Sequence, residues 1–325
     1  MNLPSMAHFI WLGRQLPAIA YLAVRAAQER SGLAEVVLHA DNMDLQRDRL
    51  VADLIRRGVR FACLTMDVAD EPQSGVYTSL HKLLRHLYQP AAQADIWRLL
   101  VLWRDGGIYF DTDAIVVRPC TDLLQHRGFA GLERICLPAS LYASRNPLRW
   151  ARAGALLSAR QAISYLPQAN KTFSKISQHY DLACNNAVLG AQPQHPLIGQ
   201  LLKTIADMPL GQASELYELG PRLLENATQN RSTPAFALLS PAHFYPLSPE
   251  ICWDYLRSDP QGALGDTPDT QTIAAHLYDS VLARRLKAPI TAEFLHRHRR
   301  DTLLGRMVAP FIDDLVGLQS QTAAA

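Results

Sequence analysis

The first hundred residues alternate short apolar runs with amphipathic stretches. Residues 8–12 form an apolar run that stops at Gly13, residues 16–30 follow a helical period, and residues 35–39 are rich in valine and leucine. The alternation continues with a helical 45–57 and an apolar 59–64. Strand, helix and strand in this order predict a parallel sheet with helices on its faces. Residues 79–88 and 94–104 read as helices. In the second, Ile96, Leu99, Leu100 and Trp103 recur at the i, i+3, i+4, i+7 spacing of a buried stripe, with Asp95 and Arg98 one turn apart on an adjacent face. Gly106 and Gly107 end that helix and permit a sharp turn into an apolar strand at 108–110, and 114–117 reads as another.

Beyond Pro119 the alternation loses its regularity, and Pro138, Pro147, Pro167, Pro193 and Pro196 divide the chain into short pieces. Insertion and loop are expected here rather than a second βαβ half. Within it, 182–189 reads as a strand, 196–206 and 214–228 as helices, 235–239 and 273–277 as buried strands, and 279–318 as a helical tail with a basic face. The expected organisation is one domain over 1–318. It would comprise a nucleotide-binding half at 1–119, an acceptor half at 120–278 with an insertion at 134–181, and the tail. Residues 319–325 are expected to be disordered.

With 325 residues, 48% hydrophobic and 19% charged, the composition is that of a globular protein with a sizeable core. No apolar run reaches bilayer-spanning length, and the first residues lack the basic and apolar regions of a secretory signal, so a cytosolic location is expected. The five cysteines, Cys63, Cys120, Cys136, Cys184 and Cys252, show no CxxC spacing and read as buried small hydrophobes. A net charge of +2 conceals an uneven distribution. No carboxylate lies between Glu133 and Asp181, where Arg134, Arg145, Arg149, Arg152, Arg160, Lys171 and Lys175 all fall. That segment is expected to meet an anionic acceptor or membrane phosphates. A second basic cluster contains Arg284, Arg285, Lys287, Arg297, Arg299, Arg300 and Arg306, which raises peripheral contact with the inner face of a membrane as an expectation.

The chemistry concentrates at Asp111 and Asp113. In extended chain, side chains at i and i+2 share a face, and two carboxylates held that close are costly unless a cation or a proton intervenes. A hard divalent ion is the usual answer. The surrounding stretch, ADIWRLLVLWRDGGIYFDTDAIVVRP, resembles the DXD-containing sugar-binding region of glycosyltransferase family 32, shared with alpha-1,4-galactosyltransferases, yeast initiating alpha-mannosyltransferases and large clostridial glucosylating toxins. The likeness extends to HFIWLG at 8–13, NNAVLGAQPQHPLI at 185–198, LGPRLL at 219–224 and TIAAHLYDS at 272–280, leaving 134–181 unmatched.

The resemblance implies a GT-A fold, an α/β Rossmann-like and mostly parallel sheet, acting on a nucleotide-diphosphate sugar with Mn2+ or Mg2+. Carried over by position, Trp11 would stack on the base, Asp95 and Arg98 would bond the donor sugar and ribose, and Tyr109 would pack near the diphosphate. Gly106 and Gly107 would shape the backbone beside the donor. Asp111 would contact the ribose or reach the metal through water, Asp113 would bind the metal directly, and His276 would lie near metal and phosphates. Asn186 would meet a donor or acceptor hydroxyl. The family places a tryptophan soon after its histidine, whereas Tyr278 and Asp279 follow here.

The function expected is retaining transfer of a hexose or N-acetylhexosamine from a UDP-linked donor to a hydroxyl of a surface glycan or glycolipid. A nearer alternative is an effector that sugars a host protein. IYFDTDAIV also resembles the first motif of haloacid-dehalogenase-type phosphatases, and an inactive glycan-binding module would keep the same pocket. No feature points to a nucleic acid partner.

Overall fold

The computed structural model describes residues 2–66, 74–137, 139–142, 144–163, 176–215, 217–229, 236–259 and 270–320. Its strands are β1 (Met6–Trp11), β2 (Glu35–Ala40), β3 (Arg60–Cys63), β4 (Gly107–Phe110), β5 (Ala114–Val116), β6 (Gly128–Ile135), β7 (Asp181–Ala191), β8 (Ala237–Leu239) and β9 (Ala274–His276). Seven of them form one sheet in the order β3-β2-β1-β4-β7-β6-β8, and β5 pairs with β9 in a separate ribbon. Only β7 runs against its neighbours in the large sheet. This is the mostly parallel, helix-flanked α/β sheet that a GT-A fold implies.

Adjacent residues on a strand point to opposite faces, which divides the core in two. Phe9 and Phe110 pack on one side with the helices Ala18–Arg30 and Leu303–Ser320. Ile10 and Tyr109 pack on the other with the helices Ser74–His86, Pro90–Asp105 and Pro196–Ala206. All five cysteines are unpaired, and all but Cys63 are buried.

Several elements depart from the sequence reading. The helix expected at 45–57 divides at Asp48, whose extended backbone and Oδ1, accepting from the Leu50 and Val51 amides, make it the N-cap of Arg49–Arg56. The helix expected at 214–228 is interrupted at Gly220, with non-helical φ/ψ of −110/−109, and at Pro221; only Leu223–Gln229 continues as α-helix. β6 was expected to be irregular chain, yet it lies inside the sheet between β7 and β8. The helix Pro147–Ile163 likewise arises within the expected insertion, of which 164–175 lie outside the described residues. The strand expected at 235–239 forms as β8, but at the sheet edge and only half-buried.

The C-terminal region is helical, as expected, but its last helix is a core element. Leu304, Val308, Ile312 and Leu315 are fully buried, and Phe311 receives Arg25 and Arg30 at 5.3 and 4.9 Å from its ring centre. Gln319 and Ser320, expected to be disordered, complete that helix, while 321–325 lie outside the described residues. Part of the second basic cluster is engaged internally: Arg299 pairs with Asp313, Arg306 with Asp259, and Arg285 lies over Trp253.

Candidate active site

The helix Pro90–Asp105 begins with proline at its first turn, where a missing N–H costs nothing, and stops at Gly106 (φ +66). A Cβ at Gly106 would stand 2.5 Å from Pro193 Cδ, and one at Gly107 (φ +97) 2.7 Å from the Met6 carbonyl oxygen. Glycine is therefore demanded by backbone packing at both positions, whatever the ligand. His8, wholly buried, fixes this corner through Nε2 to the Gly106 carbonyl at 2.8 Å.

From there β4 runs between β1 and β7 and delivers the chain to Asp111. The two aspartates sit in a tight turn, with the Ala114 amide on the Asp111 carbonyl at 2.9 Å, rather than in the extended chain expected from their spacing. They nevertheless converge, because β5 leaves this turn and pairs with β9, setting Ala114 opposite His276. The Leu277 amide completes the junction on the Asp113 carbonyl at 3.0 Å. Ligand atoms of Asp111, Asp113 and His276 consequently all lie within 4.8 Å of one another.

Each acid is held differently. Asp113 Oδ1 meets His276 Nε2 at 3.1 Å, and its Oδ2 accepts from the Asp279 amide at 2.9 Å. Burial raises the Asp113 carboxyl, but the His276 charge and hydrogen bond with the Asp279 amide outweigh it and hold the carboxyl below its ordinary value. His276 moves the opposite way: burial lowers it, and Asp113 more than compensates, so the imidazole stands above its ordinary value. Asp111 is raised by burial against the pull of Arg98. Its Oδ1 accepts from the Tyr109 hydroxyl at 2.6 Å and lies 3.2 Å from Arg98 Nη1.

Arg98 ties the corner to the helix. Its Nη2 reaches Asp95 Oδ1 at 3.0 Å, its Nη1 donates to the Asn186 carbonyl at 2.6 Å, its Nε donates to the Ala94 carbonyl at 3.3 Å, and its guanidinium lies 4.6 Å from the Tyr109 ring centre. Most of the five guanidinium N–H groups are thereby directed at the protein itself. Asp95 and Arg98 are not the exposed pair that their spacing alone allows, since the Arg98 side chain is 6% exposed. Asn186 joins them, donating from Nδ2 to Asp95 Oδ1 at 2.7 Å.

A slip in the β6–β7 register explains how Asn186 reaches this place. Ala130 pairs with Leu189 but Gly131 pairs with Asn185, so residues 186–188 of β7 bulge away from β6. The freed Ala187 carbonyl accepts the Asp111 amide at 2.7 Å. Trp11 ends β1, half-buried, with its indole N–H on the Gln15 carbonyl.

Four residues at the site escaped the sequence reading. Gly220 lies against the pair just described: a Cβ there would stand 2.6 Å from Asn186 Nδ2 and 3.0 Å from Asp95 Oδ2. Glu133 is buried on β6 and accepts the Tyr278 hydroxyl at 2.8 Å. Tyr278, left-handed at φ +56, packs its ring 4.2 Å from that of His276. Tyr245 lies edge-on to His276 from the other side and receives the Val188 amide on its hydroxyl. The LGPRLL stretch was a signal for Gly220 and the TIAAHLYDS stretch for Tyr278; nothing local marks Glu133 or Tyr245.

Two carboxylates and one imidazole at this separation suit a hard to borderline divalent cation such as Mn2+, and three protein donors leave positions for phosphate oxygens and water. The residues present therefore fit the metal that the resemblance implies.

Residues 27–130 match the model of a family described as the glycosyltransferase sugar-binding region containing a DXD motif. Over that segment the chain is similar to the sugar-binding region of DXD glycosyltransferases. Glucan organizing enzyme 1 of Cryptococcus neoformans var. grubii is 30% identical over 142 residues, which are 41% of this chain and 35% of that protein. The match thus spans about a third of the curated relative. Among solved structures, PaToxG glycosyltransferase is similar at 17% identity and a TM-score of 0.48, over 71% of this chain and 70% of that one. Core-mannan synthase A from Aspergillus fumigatus, in its Mn/GDP form, is similar at 8% identity and a TM-score of 0.35, over 71% and 72%.

Proposed function

We propose that the protein uses a divalent cation, Mn2+ or Mg2+, to transfer a hexose or N-acetylhexosamine from a nucleotide-diphosphate sugar, UDP-linked, to a glycan hydroxyl. The observation that carries this reading is the convergence of Asp111, Asp113 and His276 directly above the Arg98, Asp95 and Asn186 cluster. A bound cation would neutralise negative charge as it gathers on the departing diphosphate.

In this reading Asp113 and His276 hold the cation and Asp111 either joins them or meets the ribose. Arg98 neutralises Asp95 and Asp111 and fixes their direction, leaving its own remaining N–H for the donor. Asn186, oriented through Asp95, offers its side chain to a sugar hydroxyl. Trp11 supplies an aromatic face for the base. Retention of configuration is part of the proposal through the resemblance alone.

The test is a thermal-shift screen of UDP- and GDP-sugars with and without MnCl2, followed by measurement of nucleotide release with added glycan acceptors. Mn2+-dependent stabilisation by one nucleotide sugar, then release of its diphosphate, is expected. Absence of any Mn2+-dependent stabilisation would refute the cation site. Release of phosphate from simple phosphomonoesters would favour the phosphatase reading, and sugar binding without turnover a glycan-binding module. Transfer to protein but to no glycan would identify an effector.

A further inference from the structure

The two nitrogens of His276 are held unequally. Nε2 faces Asp113, whereas Nδ1 is buried and meets no protein partner among the described residues. A histidine that binds a metal almost always donates its other ring N–H to a carboxylate, a carbonyl or a water, and that bond fixes the plane of the ring. No carboxylate or carbonyl of this chain plays that part here. Two tyrosine rings contact the imidazole instead. Tyr278 packs 4.2 Å from it, centre to centre, with the planes 64° apart, and Tyr245 meets it edge-on at 5.7 Å and 87°. Aromatic rings favour tilted and edge-on contacts over face-to-face stacking, so each contact carries a preferred orientation.

Both tyrosines are buried, and each is tethered through its hydroxyl. Tyr278 donates to Glu133 Oε2 at 2.8 Å, and Tyr245 accepts from the Val188 amide at 3.2 Å. Glu133 also bonds the side chain of Asn185, whose Oδ1 accepts the Ala187 amide at 2.8 Å. The Ala187 carbonyl in turn accepts the Asp111 amide. One buried carboxyl on β6 thus links the end of β9 that carries His276 to the β7 bulge that seats Asp111. Tyr278 is left-handed at φ +56, a backbone conformation that tyrosine rarely adopts and that persists only where its surroundings enforce it.

We propose that Tyr278, tethered by Glu133, is a positioning residue that aims His276 at the cation. The inference rests on the cation reading above and names the residues on which that geometry depends. Glu133 is an anchor rather than a reacting group, since it is 6% exposed and already engaged by Tyr278 and Asn185.

The test is a titration of the full chain with MnCl2 at saturating UDP, with free Mn2+ counted by electron paramagnetic resonance. Tyr278→Leu removes the ring and should weaken Mn2+ binding roughly 10- to 100-fold, the range for outer partners of a metal-binding histidine. Tyr278→Phe keeps the ring but cuts the tether, and should lose about fivefold, the usual contribution of one hydrogen bond. Glu133→Gln keeps a carbonyl for the tyrosine hydroxyl and should stay within about twofold of the parent. With His276→Asn already in place, Tyr278→Leu should cost no further affinity, because it acts only through that ring. Metal-free urea unfolding of each variant separates lost positioning from lost fold, and Tyr278→Phe carries the comparison if Tyr278→Leu is too unstable to purify. Undiminished Mn2+ affinity in both Tyr278 variants, or a full further loss in the His276→Asn background, would overturn the inference and leave the cation site standing. A loss in Glu133→Gln as large as in Tyr278→Leu would overturn the anchoring role of Glu133. Failure of the parent itself to bind Mn2+ would remove the cation site and this inference with it.

Discussion

Replacing Asp113 by asparagine separates the cation reading from a merely structural role for the turn. The asparagine carbonyl can still accept the Asp279 amide, and its NH2 can face a neutral His276 Nε2, so both contacts of Asp113 have near-isosteric replacements. Breaking a buried ion pair outright costs roughly 3–5 kcal/mol, but here the hydrogen bonds persist and the repulsion with Asp111 disappears. The metal-free variant should therefore lose no more than about 2 kcal/mol of stability. The metal response should change far more. A ligand at a hundred times its dissociation constant stabilises the native state by about 2.7 kcal/mol, and with one of three protein donors weakened that gain should fall below about 0.5 kcal/mol. Urea unfolding of both proteins, with and without MnCl2 and UDP, measures the four values required. An equal Mn2+ gain in Asp113→Asn and in the parent would refute the assignment, and so would a variant that retains full transfer activity.

Gly220→Ala should weaken donor binding at least about tenfold, because the new methyl group must displace either Asn186 or Asp95, with a strain of about 1–3 kcal/mol. An unaltered donor affinity in a folded variant would remove Asn186 and Asp95 from the donor pocket. The His8 and His39 pair should make the fold acid-sensitive. His8 Nε2 faces a carbonyl and must donate, so its Nδ1 accepts from His39 Nε2 at 3.0 Å, leaving both rings neutral. Burial lowers His8 to about 4 and His39 to about 3 from an ordinary 6.5. Groups depressed in this way bind protons in the unfolded chain first, so the stabilisation is whole above about pH 6.5 and declines as pH falls toward 4. The loss should approach about 3 kcal/mol for His8 alone, and His39→Gln should flatten the decline in urea unfolding measured between pH 7 and pH 4.5.

The N-terminal half of the sheet was readable because β1, β2 and β3 are short runs separated by amphipathic stretches of helical period, although the second of these divides at Asp48. Asp95, Arg98, Asp111 and Asp113 fell on one local pattern, and the resemblance added Asn186 and His276 from far along the chain. β6 was hidden because glycine, glutamate and arginine interrupt its apolar residues, and the buried Glu133 finds a partner in Tyr278, 145 residues away. Tyr245 and Gly220 are likewise defined by what approaches them across the fold. The 214–228 helix failed where Gly220 and Pro221 break it, a local signal present in the sequence and outweighed by the surrounding helical period.

The β5–β9 ribbon makes the imidazole a late arrival. A chain released before residue 274 would contain both aspartates and the whole 27–130 segment, yet it would lack His276 and the Leu277 and Asp279 amides that brace Asp113. During synthesis the candidate cation site thus closes only once the chain has grown 166 residues past Asp113, so a shorter nascent chain carries both acids without their brace.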